Sequence, residues 1–409
     1  ELSALLDLYT ATDGSNWNWG TEYGIKWNFT PNANPCEEHW QGIACSTSAA
    51  SDGYLHIKQL YLSYYFLKGY IPNSIGNLTQ LTKLDLSSNT LSGGTIPFTL
   101  SNLYQINTID LTGSVIPGKI PNNIGNLTKL VNFKVGYNRL SGSIPLEICY
   151  LTAVTDLELN SNRLTGTIPY CINLLSYLKS LQLDDNSLYG TLPNILSNIT
   201  TLSILALANN QFNGTIPESF SKLTALELIG LSGNRITGTI PDFFGNYKNL
   251  RYLGIDSNLF HGTLPNSLGN LTQLKYLYAY NNHINGTIPI SFSKLQSLQG
   301  LSLEENDLTG TIPSGLSYLS YLSYITLHSN QLSGTIPSSF QNLTTLIELL
   351  MERNYLTGTI PSMFHNNQML GQIVLNLNLL TGTLPLYLFD IPTLKLVELS
   401  NNKLEGEFP

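Results

Sequence analysis

The chain has 409 residues, of which only 11% are charged, and its formal net charge is −8. This balance leaves no basic stripe of the kind that phosphate backbones require, which argues against nucleic acid as a partner. No uninterrupted apolar run reaches the roughly 18 residues of a membrane helix, and no basic and apolar leader precedes Glu1. We therefore expect a mature, soluble, extracellular protein, released from the cell or held at its surface.

The first residues predict a short helix. In ELSALLDLYTATDG, the residues Leu2, Leu5, Leu6 and Tyr9 stand at helical spacing, and the Asp-Gly pair that follows is typical of a helix end. Residues 1–55 as a whole do not follow the repeat that begins after them. We expect them to form a separate N-terminal cap.

Aromatic residues are concentrated in this cap. All four tryptophans of the chain lie in about thirty residues after the helix: Trp17, Trp19, Trp27 and Trp40. The first coil of a repeat protein otherwise leaves apolar surface in water, so burial against that coil is the simpler interpretation; stacking on carbohydrate is the alternative. Cys36 and Cys45 enclose a short loop, and a disulfide between them would fix the cap.

From residue 56 onwards the chain repeats. The segment 226–241, LELIGLSGNRITGTIP, follows the pattern LxxLxLxxNxLxGxIP. The same pattern recurs every 24 residues towards the C-terminus and, with small slips in phase among the early copies, towards the N-terminus, giving fifteen copies. A fixed period with this leucine spacing is typical of a repeat architecture in which each coil adds one short strand to a continuous sheet.

The runs ALLDLYTATDGSNW and PCEEHWQGIAC, together with this repeat, resemble the plant-type extracellular leucine-rich-repeat proteins, which include receptor-kinase ectodomains and polygalacturonase inhibitors. The resemblance covers essentially the whole chain. It implies an α/β solenoid: a right-handed superhelix of 15 repeats of about 24 residues, with a parallel β-sheet on the concave face and a disulfide-bonded N-terminal cap. Residues 56–409 would form the solenoid. It implies a binding architecture rather than an activity, and no cofactor.

The repeat also has a direct physical interpretation. In the part LxLxx of the repeat, the two leucines are separated by one residue, as in a strand that buries one face. The residues between and after these leucines must therefore face outward. The asparagine that follows the strand predicts a ladder of buried amides bonded to neighbouring coils. Tyr65 and Ser114 replace this asparagine, so we expect the ladder to be broken there. Asn367 stands in a leucine position, where it needs hydrogen-bond partners or distorts the coil.

Eight Asn-x-Ser/Thr acceptors predict N-glycosylation, and the polarity of the glycans would keep a chain with so few charges in solution. Five share one position of the repeat, which would align them on one flank, and Asn213 and Asn285 share a second position. From residue 198 onwards the spacing within each of these two sets is 72 residues, or three repeats. The acceptors are Asn28, Asn77, Asn126, Asn198, Asn213, Asn270, Asn285 and Asn342.

Two further features concern the later coils and the end of the chain. Cys149 and Cys171 occupy corresponding parts of adjacent return legs, close enough for a lateral disulfide, with two unpaired thiols as the alternative.

The fifteenth copy stops at Pro409 without a return leg or capping segment. We expect either a fragment of a longer protein or an end that is covered by another molecule.

No catalytic pattern stands out in the sequence. The six histidines show no metal-ligand spacing, and no GxSxG sequence or glycine-rich phosphate loop is present. Acidic pairs such as Asp184 with Asp185 are better explained as solvated faces than as a glycosidase pair. We therefore predict that the chain is not an enzyme and binds no metal.

A binding function would lie on the outward residues of the concave face. Tyrosines and acidic residues cluster there, and tyrosine is favoured at binding surfaces, although cross-strand stacking that stabilises an exposed sheet is an equal alternative. The candidate ligand-binding residues are Tyr252, Asp256, Tyr276, Tyr278, Tyr280, Glu304, Tyr324, His328 and Glu352. Aliphatic residues expected to be exposed further along suggest a contact for protein: Leu350, Val374, Leu377 and Leu396.

These observations favour a secreted, N-glycosylated scaffold that binds a protein, peptide or carbohydrate ligand through its concave face. The alternative is a structural subunit of an extracellular fibril, sheath or cell wall. In that case copies would join head to tail into a homo-polymer, and the regular glycans would form a hydrated coat.

Overall fold

The computed structural model describes residues 1–20, 24–361, 364 and 367–406, and the chain divides into two units, Glu1–Gln211 and Phe212–Pro409. The predicted chain end at Pro409 lies outside the described residues. Each unit is a stack of similar coils, as the 24-residue period predicts.

Unit 1 begins with helix α1 (Leu2–Ala11), which confirms the predicted N-terminal helix. Its buried residues are Ala4, Leu5 and Leu8, whereas Leu6 is exposed. The backbone of Asp13 is left-handed, with φ of 60°, and turns the chain away after the helix. The amides of Lys68 and Tyr70 donate hydrogen bonds to the carbonyls at residues 12 and 11, which attach this segment to the first coil.

The tryptophans of the cap pack as the sequence predicts. Trp17, Trp27 and Trp40 are buried, and Trp19 is half-buried. The Trp17 ring contacts Tyr65 of the first coil with ring centroids 6.2 Å apart. These rings cover the apolar edge that the first coil would otherwise expose.

Unit 1 contains twelve complete strands in the part of the chain that the structure describes. In chain order they are β1 (Ile43–Cys45), β2 (Ile57–Tyr61), β3 (Lys83–Asp85), β4 (Thr108–Asp110), β5 (Pro117–Gly118), β6 (Asn132–Lys134), β7 (Arg139–Ser143), β8 (Asp156–Glu158), β9 (Arg163–Gly166), β10 (Ser180–Gln182), β11 (Ser187–Thr191) and β12 (Ile204–Ala206).

These strands form two sheets. In the main sheet β1 is antiparallel to β2, and β2, β3, β4, β6, β8, β10 and β12 follow in parallel, one strand per coil. A second parallel sheet contains β5, β7, β9 and β11 and is formed by the segments before each Ile-Pro or Leu-Pro.

Unit 2 repeats this arrangement, and β13 begins at the boundary between the units. Its strands are β13 (Gln211–Gly214), β14 (Leu228–Gly230), β15 (Arg235–Thr239), β16 (Tyr252–Gly254), β17 (Leu259–Thr263), β18 (Tyr276–Tyr278), β19 (His283–Gly286), β20 (Gly300–Ser302), β21 (Asp307–Leu308), β22 (Tyr324–Thr326), β23 (Ser333–Thr335), β24 (Glu348–Leu350), β25 (Tyr355–Thr357), β26 (Gln372–Val374), β27 (Thr381–Thr383), β28 (Leu396–Glu398) and β29 (Lys403–Glu405).

The even-numbered strands β14 to β28 form the parallel main sheet of unit 2. Each residue faces the one 24 positions later, so equivalent residues of the repeat lie side by side. The segments before each Ile-Pro or Leu-Pro form additional sheets. One contains the odd-numbered strands β13, β15, β17, β19 and β21, a second pairs β23 with β25, and a third pairs β27 with β29.

The return legs contain short 3-10 helices. A further 3-10 helix, Gly14–Asn16, lies in the cap. Each of the others begins one to three residues after the proline of its coil: Asn73–Asn77, Phe98–Asn102, Asn122–Asn126, Leu146–Tyr150, Ile172–Leu174, Asn194–Asn198, Glu218–Lys222, Asp242–Asn246, Asn266–Asn270, Ile290–Lys294, Ser314–Tyr318, Ser338–Asn342 and Leu386–Asp390. Their apolar residues and the inward residues of the strands make one continuous core within each unit.

The predicted asparagine ladder is present in both units. In unit 2, Asn258 is typical: its Oδ1 accepts a bond from the amide of Ile236 at 2.9 Å, and its Nδ2 donates to the carbonyl of Leu231 at 2.9 Å and to two carbonyls of its own coil. One side chain therefore connects two coils. Backbone groups that a tight turn leaves without partners are satisfied in this way.

The ladder is not broken at Ser114, contrary to the expectation. The Ser114 hydroxyl, which is fully buried, donates to the carbonyl of Leu86 at 2.7 Å. This bond corresponds to the inter-coil bond that asparagine makes elsewhere. At the other exception, Tyr65, the ring packs against the cap tryptophans.

Asn367 finds hydrogen-bond acceptors for its Nδ2 inside the core, whereas its buried Oδ1 has no partner among the described residues. It is fully buried, and its Nδ2 donates to the carbonyls of Phe340 and Leu343 in the preceding coil. Tyr247, in the equivalent position five coils earlier, is also buried and donates its hydroxyl proton to the carbonyl of Phe220 at 2.8 Å. Burial raises the pKa of Tyr247 far above its usual range, so the phenol remains neutral.

The four cysteines form two disulfides. Cys36 pairs with Cys45 within the cap, and Cys149 pairs with Cys171 across adjacent return legs, with Cα atoms 5.7 and 5.8 Å apart respectively. The second bond links two coils covalently. Closing such loops restricts the unfolded chain and so stabilises the fold.

Candidate ligand-binding face

Three residues of each coil lie on the outer face of the main sheet. They are the first and third residues of the strand and the residue two positions after the strand ends. In the coil that contains β16 they are Tyr252, Gly254 and Asp256. Because the coils are in register, each residue has its equivalents from the neighbouring coils beside it. A surface continuous over many coils therefore depends on only three positions of the repeat.

Tyr252, Tyr276 and Tyr278 form a contiguous ring cluster on the main sheet of unit 2, which we call the tyrosine cluster. Tyr252 and Tyr276 are cross-strand partners. The ring centroid of Tyr278 lies 5.6 Å from that of Tyr252, edge to face, and 5.9 Å from that of Tyr276. All three rings are half-buried, so each keeps part of its surface accessible to a ligand.

Two glycines provide the space for these rings. A Cβ atom added at Gly254 would lie 2.9 Å from Cε1 of Tyr252, and one added at Gly300 would lie 3.1 Å from Cδ1 of Tyr276. The rings therefore lie across positions of the sheet that have no side chain. Neither glycine was among the residues predicted from the sequence, although a glycine within a strand is a known signal of close approach.

Asp256 lies beside the tyrosine cluster and is almost inaccessible, with 5% of its surface exposed. The Ser232 hydroxyl donates to Asp256 Oδ1 at 2.5 Å, and the Ser257 hydroxyl lies 3.4 Å from Oδ2. The Tyr280 hydroxyl is also hydrogen-bonded to this carboxylate. Asp256 was predicted to point outward. It occupies that position, but its neighbours cover it.

The tyrosine hydroxyls are in a desolvated and negatively charged environment. Burial and the charge of Asp256 raise the pKa of Tyr280 to about 12. Burial, followed by the same carboxylate, also raises the pKa of Tyr252. Burial, followed by Tyr276 and Asp256, raises that of Tyr278. The phenols are neutral at physiological pH and remain hydrogen-bond donors.

Glu304 continues the acidic side of this face. Burial raises the pKa of its carboxyl group, and a hydrogen bond donated by the Thr326 hydroxyl at 2.5 Å partly offsets that effect. Tyr324 is exposed in the next coil and is the strand partner of Gly300. Tyr252, Asp256, Tyr276, Tyr278, Tyr280, Glu304 and Tyr324 thus lie on adjacent coils of one sheet.

His328 lies in the same coil as Tyr324, and Glu352 extends the face by one further coil. Nδ1 of His328 lies 3.9 Å from Oε1 of Glu352, the outer limit of an ion pair. Oε2 of Glu352 and Oδ1 of Asn376 are both buried, and neither has a hydrogen-bond partner among the described residues. Asn376 follows Glu352 in the same position of the next coil and was not among the predicted residues.

The predicted aliphatic contact is only partly exposed. Leu377 and Leu396 are exposed, and Leu350 is half-buried. Val374 is only 8% exposed, so the expectation of an exposed side chain is wrong there; it lies between Leu350 and Glu398 on the sheet. Leu377 has a φ of 57°, a conformation that asparagine or glycine adopts more easily than leucine.

The main sheet of unit 1 has a different character. Nζ of Lys134 and Oε1 of Glu158 form an ion pair at 2.8 Å. Burial lowers the pKa of Lys134, but the hydrogen bond and attraction of Glu158 outweigh it and raise the pKa overall. Burial raises the pKa of Asp184. One carboxylate of this sheet is thus paired with a cation; neither Lys134 nor Glu158 was among the residues predicted from the sequence.

Seven of the eight predicted glycan acceptors are exposed: Asn77, Asn126, Asn198, Asn213, Asn270, Asn285 and Asn342. Asn28 differs, because its Nδ2, the nitrogen to which a glycan would be attached, donates a hydrogen bond to Glu38 at 2.7 Å.

In the part of the chain that the structure describes, no helix is long and apolar enough to cross a membrane. That part also contains no group of three or more potential ligand side chains placed to hold a metal.

The chain is similar to known repeat proteins in sequence. A family model described as "Leucine rich repeat" matches residues 176–236, 230–284 and 248–308, and a second model of the same description matches 80–103 and 321–343. A probable LRR receptor-like serine/threonine-protein kinase of Arabidopsis thaliana is 37% identical over 78 residues. That match covers 19% of this chain and 7% of the kinase.

Solved structures extend the similarity to most of the chain. The crystal structure of a TDR receptor is 30% identical with a TM-score of 0.77, and the match covers 86% of this chain and 65% of that one. The plant peptide hormone receptor RGFR1, solved in complex with RGF2, is 30% identical with a TM-score of 0.64, covering 89% and 72%. The chain therefore belongs to the leucine-rich-repeat family, and its solenoid is of the type found in plant receptor-kinase ectodomains.

Proposed function

We propose that this chain is a secreted, N-glycosylated scaffold that binds a peptide or a segment of a protein on the concave face of unit 2, between Tyr252 and Glu352, and catalyses no reaction on it. The observation that carries the proposal is the tyrosine cluster beside the buried carboxylate of Asp256. The plant peptide hormone receptor RGFR1, which has a similar fold, was solved in complex with RGF2.

The chemistry of the face supports a polypeptide ligand. Half-buried tyrosine rings offer apolar area, and their hydroxyls offer hydrogen bonds, at a low cost in conformational entropy. Glycines beneath the rings let the rings lie across the sheet, where part of each ring stays accessible. Cross-strand ring stacking also stabilises the sheet, but it does not explain the buried acidic groups that surround the rings.

The first test is selection of peptides from a random displayed library on the purified wild-type protein, followed by affinity measurement with a variant in which Tyr276, Tyr278 and Tyr280 are replaced by alanine. We expect the selected peptides to lose at least about tenfold in affinity, because removing buried aromatic contacts at a binding site costs more than about 1.4 kcal/mol.

The matched control removes three exposed tyrosines from the return legs of unit 1: Tyr150, Tyr170 and Tyr177. It alters the same number of rings and should retain affinity within about twofold. Equal binding by the wild type and by the variant of unit 2, with both folded by circular dichroism, would remove this face as the binding site. Light scattering of the same samples distinguishes a monomeric scaffold from the head-to-tail polymer.

A second test concerns the glycans. Glycopeptide mass spectrometry of the protein secreted from eukaryotic cells should find Asn198, Asn270 and Asn342 occupied, since all three are exposed in 3-10 helices of the return legs. Asn28 should be unoccupied in protein that has already folded, because its Nδ2 is bonded to Glu38. Unmodified asparagine at all three return-leg acceptors would contradict the glycosylated-scaffold proposal.

A further inference from the structure

The outward positions of unit 2 carry an unbalanced negative charge. From β14 to β24 the three outward positions of each coil include four carboxylates, Asp256, Glu304, Glu348 and Glu352, and no lysine or arginine. The only titratable base among them is His328, at 3.9 Å from Glu352. The main sheet of unit 1, by contrast, pairs Glu158 with Lys134.

Asp256 is the group for which this imbalance matters most. A buried carboxylate is costly unless it is paired with a cation or fully hydrogen-bonded. Its hydrogen-bond donors are neutral hydroxyls of serine and tyrosine. Among the described residues, no cationic group lies within 4 Å of it. The hydroxyls satisfy its lone pairs, but its negative charge remains uncompensated within the chain.

The tyrosine cluster presents the surface that a cation prefers. The face of a phenol ring carries negative potential, and a nearby carboxylate strengthens its attraction for a cation. Tyr252, Tyr276 and Tyr278 are half-buried and in mutual contact, so a cation placed against them would lose much of its hydration. Attraction between a cation and an aromatic ring is greatest under that condition.

Further along the face, in the third and fourth coils after that of Tyr276, two acceptors lack donors. Oε2 of Glu352 and Oδ1 of Asn376 are buried acceptors without partners. Both atoms are shielded from solvent, so a ligand reaches only the partly exposed remainder of the Glu352 side chain. Among the described residues, the one cationic partner of Glu352 is His328, at 3.9 Å. A ligand that carries positive charge would therefore compensate the carboxylate of Glu352 as well as that of Asp256.

We propose that this face recognises an arginine-bearing segment of its polypeptide ligand, with one guanidinium group held against the tyrosine cluster and facing Asp256 and Glu304, and with further positive charge of the ligand near Glu352. The inference rests on the proposed binding function of the same face. Charge complementarity determines the occupant, since a purely apolar or acidic segment would leave the carboxylates uncompensated.

Arginine fits this arrangement better than lysine does. Its guanidinium is planar and weakly hydrated, stacks on aromatic rings and presents five donors that match carboxylates in pairs. The ammonium group of lysine is a compact, strongly hydrated point charge. A face that combines three tyrosine rings with neighbouring carboxylates is therefore selective for the guanidinium.

The test uses three fluorescein-labelled nonapeptides of the sequence Gly-Ser-X repeated three times, in which X is arginine, citrulline or lysine. Citrulline has nearly the shape of arginine but carries no charge. We expect fluorescence anisotropy with the full chain to show at least about tenfold tighter binding of the arginine peptide than of either other peptide, the factor that corresponds to 1.4 kcal/mol. The difference from citrulline should decrease as salt is added.

Protein variants locate the effect. E304Q and Tyr278→Leu should each weaken arginine-peptide binding by at least about fivefold, and Tyr278→Phe, which keeps the ring, should retain most of it. D256N tests the buried carboxylate if circular dichroism shows it folded, and E304Q serves where it does not. The matched control D184N removes a half-buried carboxylate from the main sheet of unit 1 and should leave binding unchanged.

The inference is overturned if the arginine and citrulline peptides bind equally, if the lysine peptide binds as tightly as the arginine peptide, or if D184N weakens binding as much as E304Q does. Its failure is distinguishable from that of the proposed function. Library-selected peptides that lack arginine but depend on the tyrosine cluster would retain the binding face and refute only its specificity for arginine.

Discussion

Replacing Asn306 by alanine is expected to lower the free energy of unfolding by about 3–4 kcal/mol. Asn306 is a buried member of the ladder in unit 2. Its Oδ1 accepts from the amide of Ile284 at 3.0 Å, and its Nδ2 donates to the carbonyls of Ala279, Leu303 and Glu304 at 3.0 to 3.1 Å.

The cost arises mainly from the groups left behind. The Ala279 carbonyl still receives a bond from Asn282, but the amide of Ile284 loses its ladder partner. A buried N–H without a partner costs about 1–3 kcal/mol, and each lost net hydrogen bond adds about 1 kcal/mol. Because each coil contacts mainly its neighbours, we expect the loss to appear as earlier unfolding of unit 2.

Urea unfolding followed by circular dichroism measures this difference. The control is Asn281→Gly, in the same turn: Asn281 is exposed and has a φ of 50°, which glycine adopts easily, so stability should change by less than about 0.5 kcal/mol. If Asn306→Ala destabilises the protein no more than this control, the ladder is not an important source of stability.

Replacing Trp40 by alanine should cost about 3–5 kcal/mol in the unfolding of the cap and the first coils. Trp40 is 1% exposed. Its ring lies 5.8 Å from that of Trp27 and 5.1 Å from that of Phe29, and its Nε1 donates to Oε2 of Glu38 at 2.9 Å. The substitution leaves a cavity at the centre of this aromatic group and removes its polar anchor.

Thermal unfolding monitored by tryptophan fluorescence reports this loss, because Trp17 and Trp27 remain as probes within the same core. Tyr54→Ala is the control, since Tyr54 is 71% exposed and its removal should be nearly neutral. The Trp40 bond is also the largest influence that lowers the pKa of Glu38. NMR titration of the Trp40→Ala variant should therefore find a higher pKa for Glu38 than in the wild type. An unchanged melting curve of this variant would show that the cap does not protect the first coil.

Much of the fold followed from the repeat period alone. A strand has one buried face, so the register assigned Leu253 and Ile255 to the core and Tyr252 and Asp256 to the opposite face. The cap was predictable for a related reason, because a non-repeating segment rich in tryptophan has few places to bury its rings except the open edge of the first coil.

Departures from the repeat were harder to interpret. Serine at position 114 was expected to break the ladder, but a hydroxyl at that point reaches the carbonyl of Leu86. Asn367 and Tyr247 both occupy leucine positions, and both find backbone carbonyls in the core. The residue type shows that a partner is needed; only the three-dimensional arrangement shows whether one is within reach.

The sequence by itself determined which positions belong to the core, the ladder and the outward face, since these depend on strand alternation and a constant period. Tertiary structure alone decided how the outward residues are arranged among themselves. Gly254 and Gly300 let the tyrosine rings lie across the sheet, and both Asp256 and Val374 are buried where exposure was expected. Such differences depend on side-chain rotamers and on neighbours 24 residues away, which the register of a repeat does not specify.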